Sequence, residues 1–145
     1  MREILFRGKH SHKSMWDYGD LYIDHDKVYI SMRETMHGVR VHGEVIPETV
    51  GQFTGLTDKN GTKIFEGDIV RFSLITGRSL VPQGLRQVTF SAGSFMIEDP
   101  YSGDDETISR IAASVELEVV GNVHDNPDMI ADYIQSVRQE LMEDK

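Results

Sequence analysis

VGQFTGLTDKNGTKIFEGDIVRF, residues 50–72, reads as extended runs joined by turns. Asp58-Lys59-Asn60-Gly61 separates the first two runs. An Asn-Gly pair in that position is a strong hairpin signal, because both residues tolerate positive φ. Glu66-Gly67-Asp68 is a second turn and feeds a strand over residues 69–75. A glycine permits such a tight turn, and acids beside it usually bond local backbone N–H groups. Short strands turning at glycines predict a mainly β fold. The step into Ile69 resembles the turn-to-strand passage of SH3-like barrels.

Outward from this block, the chain continues as short strands. Residues 2–7, with Ile4, Leu5 and Phe6 in a row, predict the first strand, and residues 8–14 a polar hairpin loop. Residues 16–23 return as a strand carrying Trp16, Tyr18, Leu21, Tyr22 and Ile23, all good strand formers. Residues 24–27 form a turn and 28–30 a short strand. Over residues 39–46 Val39, Val41 and Val45 alternate with Arg40, His42 and Glu44, the period-two pattern of a half-buried strand. Pro47 ends it, and a short extended piece follows over 50–53. Residues 76–85, with Gly77, Pro82 and Gly84, predict a loop. Residues 86–90 and 94–98 predict a hairpin turning at Ser91-Ala92-Gly93. Residues 99–107 predict an exposed acidic loop, and 115–123 a strong strand.

The C-terminal end changes period. Asn126-Pro127-Asp128 is a helix start, with a capping residue, a proline at the first position and an acid in the first turn. Ile130, Ile134, Val137 and Leu141 then recur at spacings of four, three and four, and Met129, Tyr133 and Met142 widen the stripe. One amphipathic helix over about 127–143 follows. The expected architecture is a small SH3-like β-barrel with additional strands, its body about 1–125, and one C-terminal helix, all within a single domain, 1–145.

Composition narrows the setting. A chain of 145 residues fits one domain, and 39% apolar with 27% charged residues fits a globular protein. No run approaches the ~20 apolar residues that span a bilayer, and the opening MREILFR is too short and charged for a secretory leader. With no cysteine there is no disulfide or thiolate site. The expectation is a cytoplasmic protein without a membrane role. Charge is uneven. Residues 1–97 hold 12 Lys and Arg against 11 Asp and Glu, whereas residues 98–145 hold 3 against 13. The last third is therefore an acidic surface, which repels phosphate backbones at long range.

Several blocks together carry a resemblance: FRGK at residues 6–9, Trp16 with Gly19, the 50–72 stretch, and ELEVVGNVHDNPDM at 116–129. They closely resemble the YopX family of phage and prophage proteins. Residues 76–112 match nothing comparable. The resemblance implies an SH3-type fold and a phage or prophage setting. It implies no reaction, cofactor or catalytic residue.

Candidate chemistry is sparse. His10-x-His12 places two imidazoles on one side of an extended segment, but no third ligand accompanies them, and solvated loop histidines are the plainer account. Glu66 and Asp68 flank Gly67. Acids beside a glycine turn usually bond backbone N–H groups rather than act as acid and base. Asp104-Asp105-Glu106 lacks the spacing of a calcium loop. There is no nucleophile elbow, phosphate loop or dinucleotide fingerprint. The expectation is a non-enzyme without metal or cofactor. Nucleic-acid binding would draw on Arg7, Lys9 and Lys13 with stacking by Trp16, Tyr18 and Tyr22. The expected role is self-association, as a homo-oligomer, or protein binding, ahead of nucleic-acid binding and, third, an enzyme of unknown class. It would use Ile130, Ile134, Val137 and Leu141, the stripe either covering its own chain or packing on a second copy, and the acidic end would suit a basic host or phage protein.

Overall fold

The computed structural model describes residues 1–144, apart from the side chains of residues 34–36 and 39. The chain is mainly β and forms two compact units, Met1–Leu56 and Thr57–Lys145.

The first unit holds β1 (Phe6–Lys9), β2 (Trp16–Asp24), β3 (Lys27–Met36), β4 (Val39–Glu44), a 3-10 turn at Pro47–Thr49 and most of β5 (Gly51–Thr57). Its strands run in the order β4-β3-β2-β1-β5, each antiparallel to its neighbour. The β3–β4 loop is His37-Gly38, both left-handed (φ 55 and 78), the turn whose twist matches paired strands. Leu5, Ile30, Val45 and Phe53 are the buried apolar side chains among the described residues of this unit.

Two expectations shift here. The first strand is displaced from residues 2–7 to Phe6–Lys9, because the Lys9 N–H finds Thr49 Oγ1 at 2.9 Å and Gly8 pairs with Asp17. The short strand at 28–30 extends to Met36. Arg33, in that extension, donates to Asp20 Oδ1 at 2.8 Å and to the Ile4 carbonyl. Val45, just past β4 and bridged to His10, enters the core, but Val41 within β4 is exposed, and the Val39 side chain lies outside the described residues.

The second unit holds β6 (Lys63–Phe65), β7 (Asp68–Thr76), β8 (Ser79–Ser91), β9 (Ser94–Glu98), β10 (Asp105–Thr107), α1 (Ile108–Ile111), β11 (Val115–Asn122) and α2 (Pro127–Glu143). Its antiparallel sheet has the order β10-β9-β8-β7-β11. Both sheet orders are open, so no closed barrel is found among the described residues. Ile64, Ile69, Val70 and Val88 are fully buried. The β8–β9 turn is Ala92-Gly93, both left-handed. The expected loop at 76–85 is instead a hairpin, Thr76 pairing with Ser79 and Leu74 with Val81. Pro82 fits because residues 79–85 pair with β7 on one side only, and edge segments tolerate a missing donor. Residues 105–107 of the expected acidic loop add an edge strand to β9.

Gly84 makes the seat for α2. It has φ +90 where β8 bulges, and a Cβ there would lie 2.6 Å from Tyr133 Cε2. α2 spans 127–143 as expected, with Pro127 at its start and Asp128 in its first turn. Asn126 does not cap it through its side chain. Its Oδ1 accepts the Asn122 N–H at 3.1 Å instead.

Two buried carboxylates tie the turns together. Asp68 Oδ2 accepts the Phe65 N–H at 2.7 Å, the role expected of the acid after Gly67. Asp58 does more. Oδ1 accepts the N–H groups of Asn60 and Thr62, both at 2.9 Å, and Oδ2 accepts the Val119 N–H at 2.9 Å. Burial alone would raise its pKa, but the donors from Val119, Thr62 and Asn60 outweigh it and hold the carboxyl below its usual value.

Asp58→Ala strands three N–H groups and is expected to cost about 2–4 kcal/mol in urea unfolding. A loss under about 1 kcal/mol contradicts this account. Because the folded pKa is depressed, the stabilisation is present above the unfolded value of about 3.9 and fades as pH falls through the folded one. Wild type should therefore lose more stability between pH 5 and 2.5 than Asp58→Asn.

Candidate functional site

In the first unit, alternate residues of β2 point to opposite faces. One face holds Trp16, Tyr18, Asp20 and Tyr22, and the other holds Asp17, Gly19 and Leu21. On the aromatic face Tyr22 pairs across the strands with Tyr29, ring centroids 5.9 Å apart, and His42 lies 5.8 Å from Tyr22. Tyr18 and Tyr22 are about half exposed. Arg33 and Arg40 both reach Asp20, at 2.8 and 3.2 Å. The hydrogen bond from Arg33, with the charges of both arginines, lowers the Asp20 pKa. The β2–β3 register that sets Tyr29 opposite Tyr22 follows from a two-residue turn at His25-Asp26, a signal present in the chain.

The basic residues singled out for nucleic acid differ in exposure. Arg7 is buried, with its guanidinium carbon 4.8 Å from the Trp16 ring centroid. Lys9 is half-buried, and Lys13 is exposed on the β1–β2 loop. His10 and His12 do lie close, with ring centroids 6.2 Å apart, but His10 Nδ1 accepts the His12 N–H at 3.1 Å, so the lone pair on that nitrogen is occupied. Among the described residues no three His, Asp or Glu side chains gather as a metal site would need.

On the opposite face Asp17 is 2% exposed, and its Oδ2 has no hydrogen-bond partner among the described residues. It fits because Gly43 lacks a side chain, whose Cβ would sit 2.3 Å from that oxygen. Burial pushes the Asp17 pKa up, and the charges of His10 and Lys13 pull it partly back.

The second unit contains a cavity of about 280 Å³. Phe72, Leu74, Ile97 and Ile111 supply its apolar walls, and Asp99, Asp104 and Glu106 its acids. Arg86 is the cation among them. Its Nη1 donates to the Leu85 carbonyl at 2.8 Å, to the Gln83 carbonyl at 3.1 Å and to the Tyr133 hydroxyl at 3.3 Å. Its guanidinium carbon lies 4.9 Å from the Phe72 ring centroid, and Asp99 Oδ2 lies 3.9 Å from Nη2. Asp104 and Glu106 are exposed at the rim, which leaves the cavity with a surplus of negative charge. No local sequence pattern marks this cavity, because four strands and α1 contribute to it.

On α2, Ile130, Ile134 and Val137 are half-buried, whereas Leu141 and Met142 are 49% and 75% exposed. No helix among the described residues is long and apolar enough to cross a membrane.

A family model described as YopX protein matches residues 5–131. No curated protein matches the chain. Among solved structures, the crystal structure of protein EF1440 from Enterococcus faecalis is similar, with a TM-score of 0.55 over 90% of this chain and 99% of that one, at 20% identity. At that identity the likeness speaks for the fold alone.

Asp17 sets a sign for pH dependence. A carboxyl whose folded pKa lies above the unfolded value of about 3.9 costs stability as pH rises through the folded value. Asp17→Asn is therefore expected to raise the melting temperature at pH 7 and to leave it nearly unchanged near pH 3. A lower melting temperature at pH 7 would show that the charge is favourably paired.

Proposed function

The chain belongs to the YopX family, and from that premise we propose that it is a non-enzymatic phage or prophage accessory protein that acts by binding, to copies of itself or to another protein. The observation that carries this reading is apolar surface left uncovered on the acidic unit. The α2 stripe leans on β8 through Tyr133, yet its last turn presents Leu141 and Met142 to solvent. Apolar side chains grouped on an exposed helix end are a feature of association surfaces. The 13 acids of residues 98–145 would add selectivity for basic partners. A cytoplasmic setting accords with this role. The SH3-like reading of the fold belongs to the same proposal, supported by the Gly67 turn and the Asp68 bond to the Phe65 N–H.

A second reading has its own observation, the face bearing Tyr18, Tyr22, Tyr29 and His42, which offers ring surfaces for single-stranded bases.

Light scattering tests the first reading. The full chain is expected above its monomer mass of 16.5 kDa at micromolar concentration, and Leu141→Glu/Met142→Glu is expected to weaken association about tenfold or more. A monomer at all concentrations removes self-association. For the second reading, binding of a single-stranded oligonucleotide should weaken with salt and fall about fivefold or more in Tyr22→Ala, since a stacked base contributes ~1–3 kcal/mol. Binding that is indifferent to Tyr22 rejects it.

A further inference from the structure

The β7–β8 hairpin is the part of the second unit least accounted for by its own fold. Leu74 pairs with Val81 and Ile75 with Leu80, so both faces of the hairpin are apolar, and beyond Ile75, whose N–H donates to the Ser114 carbonyl next to β11, only the turn stands free of a third strand. All four side chains are exposed, Ile75 at 46% and Leu80 at 50%. A ribbon that is apolar on both faces gains nothing from standing in water, and its β8 edge over residues 79–85 lacks a second strand partner. At its tip, after Gly77, is Arg78, exposed and without a hydrogen bond or ion pair among the described residues. The hairpin is thus an apolar shaft with a cationic tip.

The cavity beside its base has the opposite character. Its walls are apolar, and the carboxylates of Asp104 and Glu106 make no hydrogen bond or ion pair among the described residues. Arg86, the cation already inside, is engaged by backbone carbonyls and the Tyr133 hydroxyl. Arg78 makes no ion pair with the acids of its own cavity among the described residues. It stands in the turn between Thr76 and Ser79, roughly two residues or ~7 Å along the strand beyond Leu74, which lines the wall.

We propose that the β7–β8 arm of one copy seats in this cavity of a second copy, with the Arg78 guanidinium against Asp104 and Glu106. The inference rests on the self-association reading and names a surface for it separate from α2. Charge complementarity selects the occupant. Residues 57–145 hold 8 Lys and Arg against 16 Asp and Glu, so two such units repel unless a cation sits at the contact. Arg78 is that cation, and its planar fork suits paired carboxylates. Because Leu74 belongs both to the arm and to the cavity wall, reciprocal insertion permits a closed two-fold pair.

Sedimentation equilibrium of the full chain tests this with Arg78→Glu, with Asp104→Lys/Glu106→Lys, and with an equimolar mixture of the two. These residues are exposed, so each variant should keep the wild-type melting temperature. Wild type is expected to associate. Each variant alone should associate at least tenfold more weakly, and the mixture should recover, since each arm then meets a cavity of opposite charge. Association of wild type that is unchanged in both variants overturns the arm while leaving self-association standing. A wild type that stays monomeric overturns both. If that monomer binds a hexa-arginine peptide and Asp104→Lys/Glu106→Lys does not, the cavity's occupant is a basic partner rather than a second copy.

Discussion

The Asp58 carboxylate closes its own turn by accepting the Asn60 and Thr62 N–H groups, and it takes the Val119 N–H from β11, 61 residues away in sequence. Few side chains can do this. The site needs an acceptor-only group with several lone pairs, close to the main chain and held out of water. Beside it the Lys59 N–H donates to the Leu117 carbonyl at 3.0 Å, and the Lys59 ammonium lies 2.8 Å from Glu118. The hairpin turn is thereby fastened to an edge strand of the five-stranded sheet. Asp68 repeats the device on a smaller scale at the next turn. These two acids convert glycine turns, which are cheap to form and equally cheap to distort, into fixed corners.

From those corners β7 runs out to form the sheet, and β8 returns along it with a bulge at Gly84. The bulge has three consequences that belong together. It admits the Tyr133 ring, which positions α2. It exposes the Gln83 and Leu85 carbonyls to Arg86. It places Arg86 over Phe72, where the guanidinium forms one wall of the acidic cavity. Helix docking and cavity shape are therefore coupled through one residue that has no side chain.

The two units differ in surface chemistry. The first presents tyrosines and a histidine on a sheet face, with arginines gathered on Asp20. The second is acidic and presents apolar side chains at the β7–β8 arm and at the end of α2. Exposed apolar groups on an acidic unit favour a role in protein contacts, because the surrounding charge limits promiscuous association while a complementary cation can still be received. The aromatic face has a different preference, for flat ring systems, and nothing in its geometry requires the acidic unit.

The sequence by itself determined much at short range. The helix at 127–143, the hairpin at Ala92-Gly93, the turn at Asp58–Gly61 and the role of Asp68 all follow from local chemistry: period, φ requirements and side-chain reach to nearby backbone. The family blocks at both ends were legible for the same reason, as contiguous text. Residues 76–85 look like a loop in sequence because glycine and proline usually interrupt strands, and only the pairing with β7 shows that Pro82 sits on a one-sided edge and Gly84 in a bulge. Asn126 has the position of a cap, but the Asn122 N–H takes its carboxamide oxygen. The burial of Arg7 and Asp17, the third donor to Asp58 and the whole acidic cavity were decided by tertiary structure alone. Each depends on residues tens of positions apart arriving at one place, and strand order and register, rather than local preference, settle which residues those are.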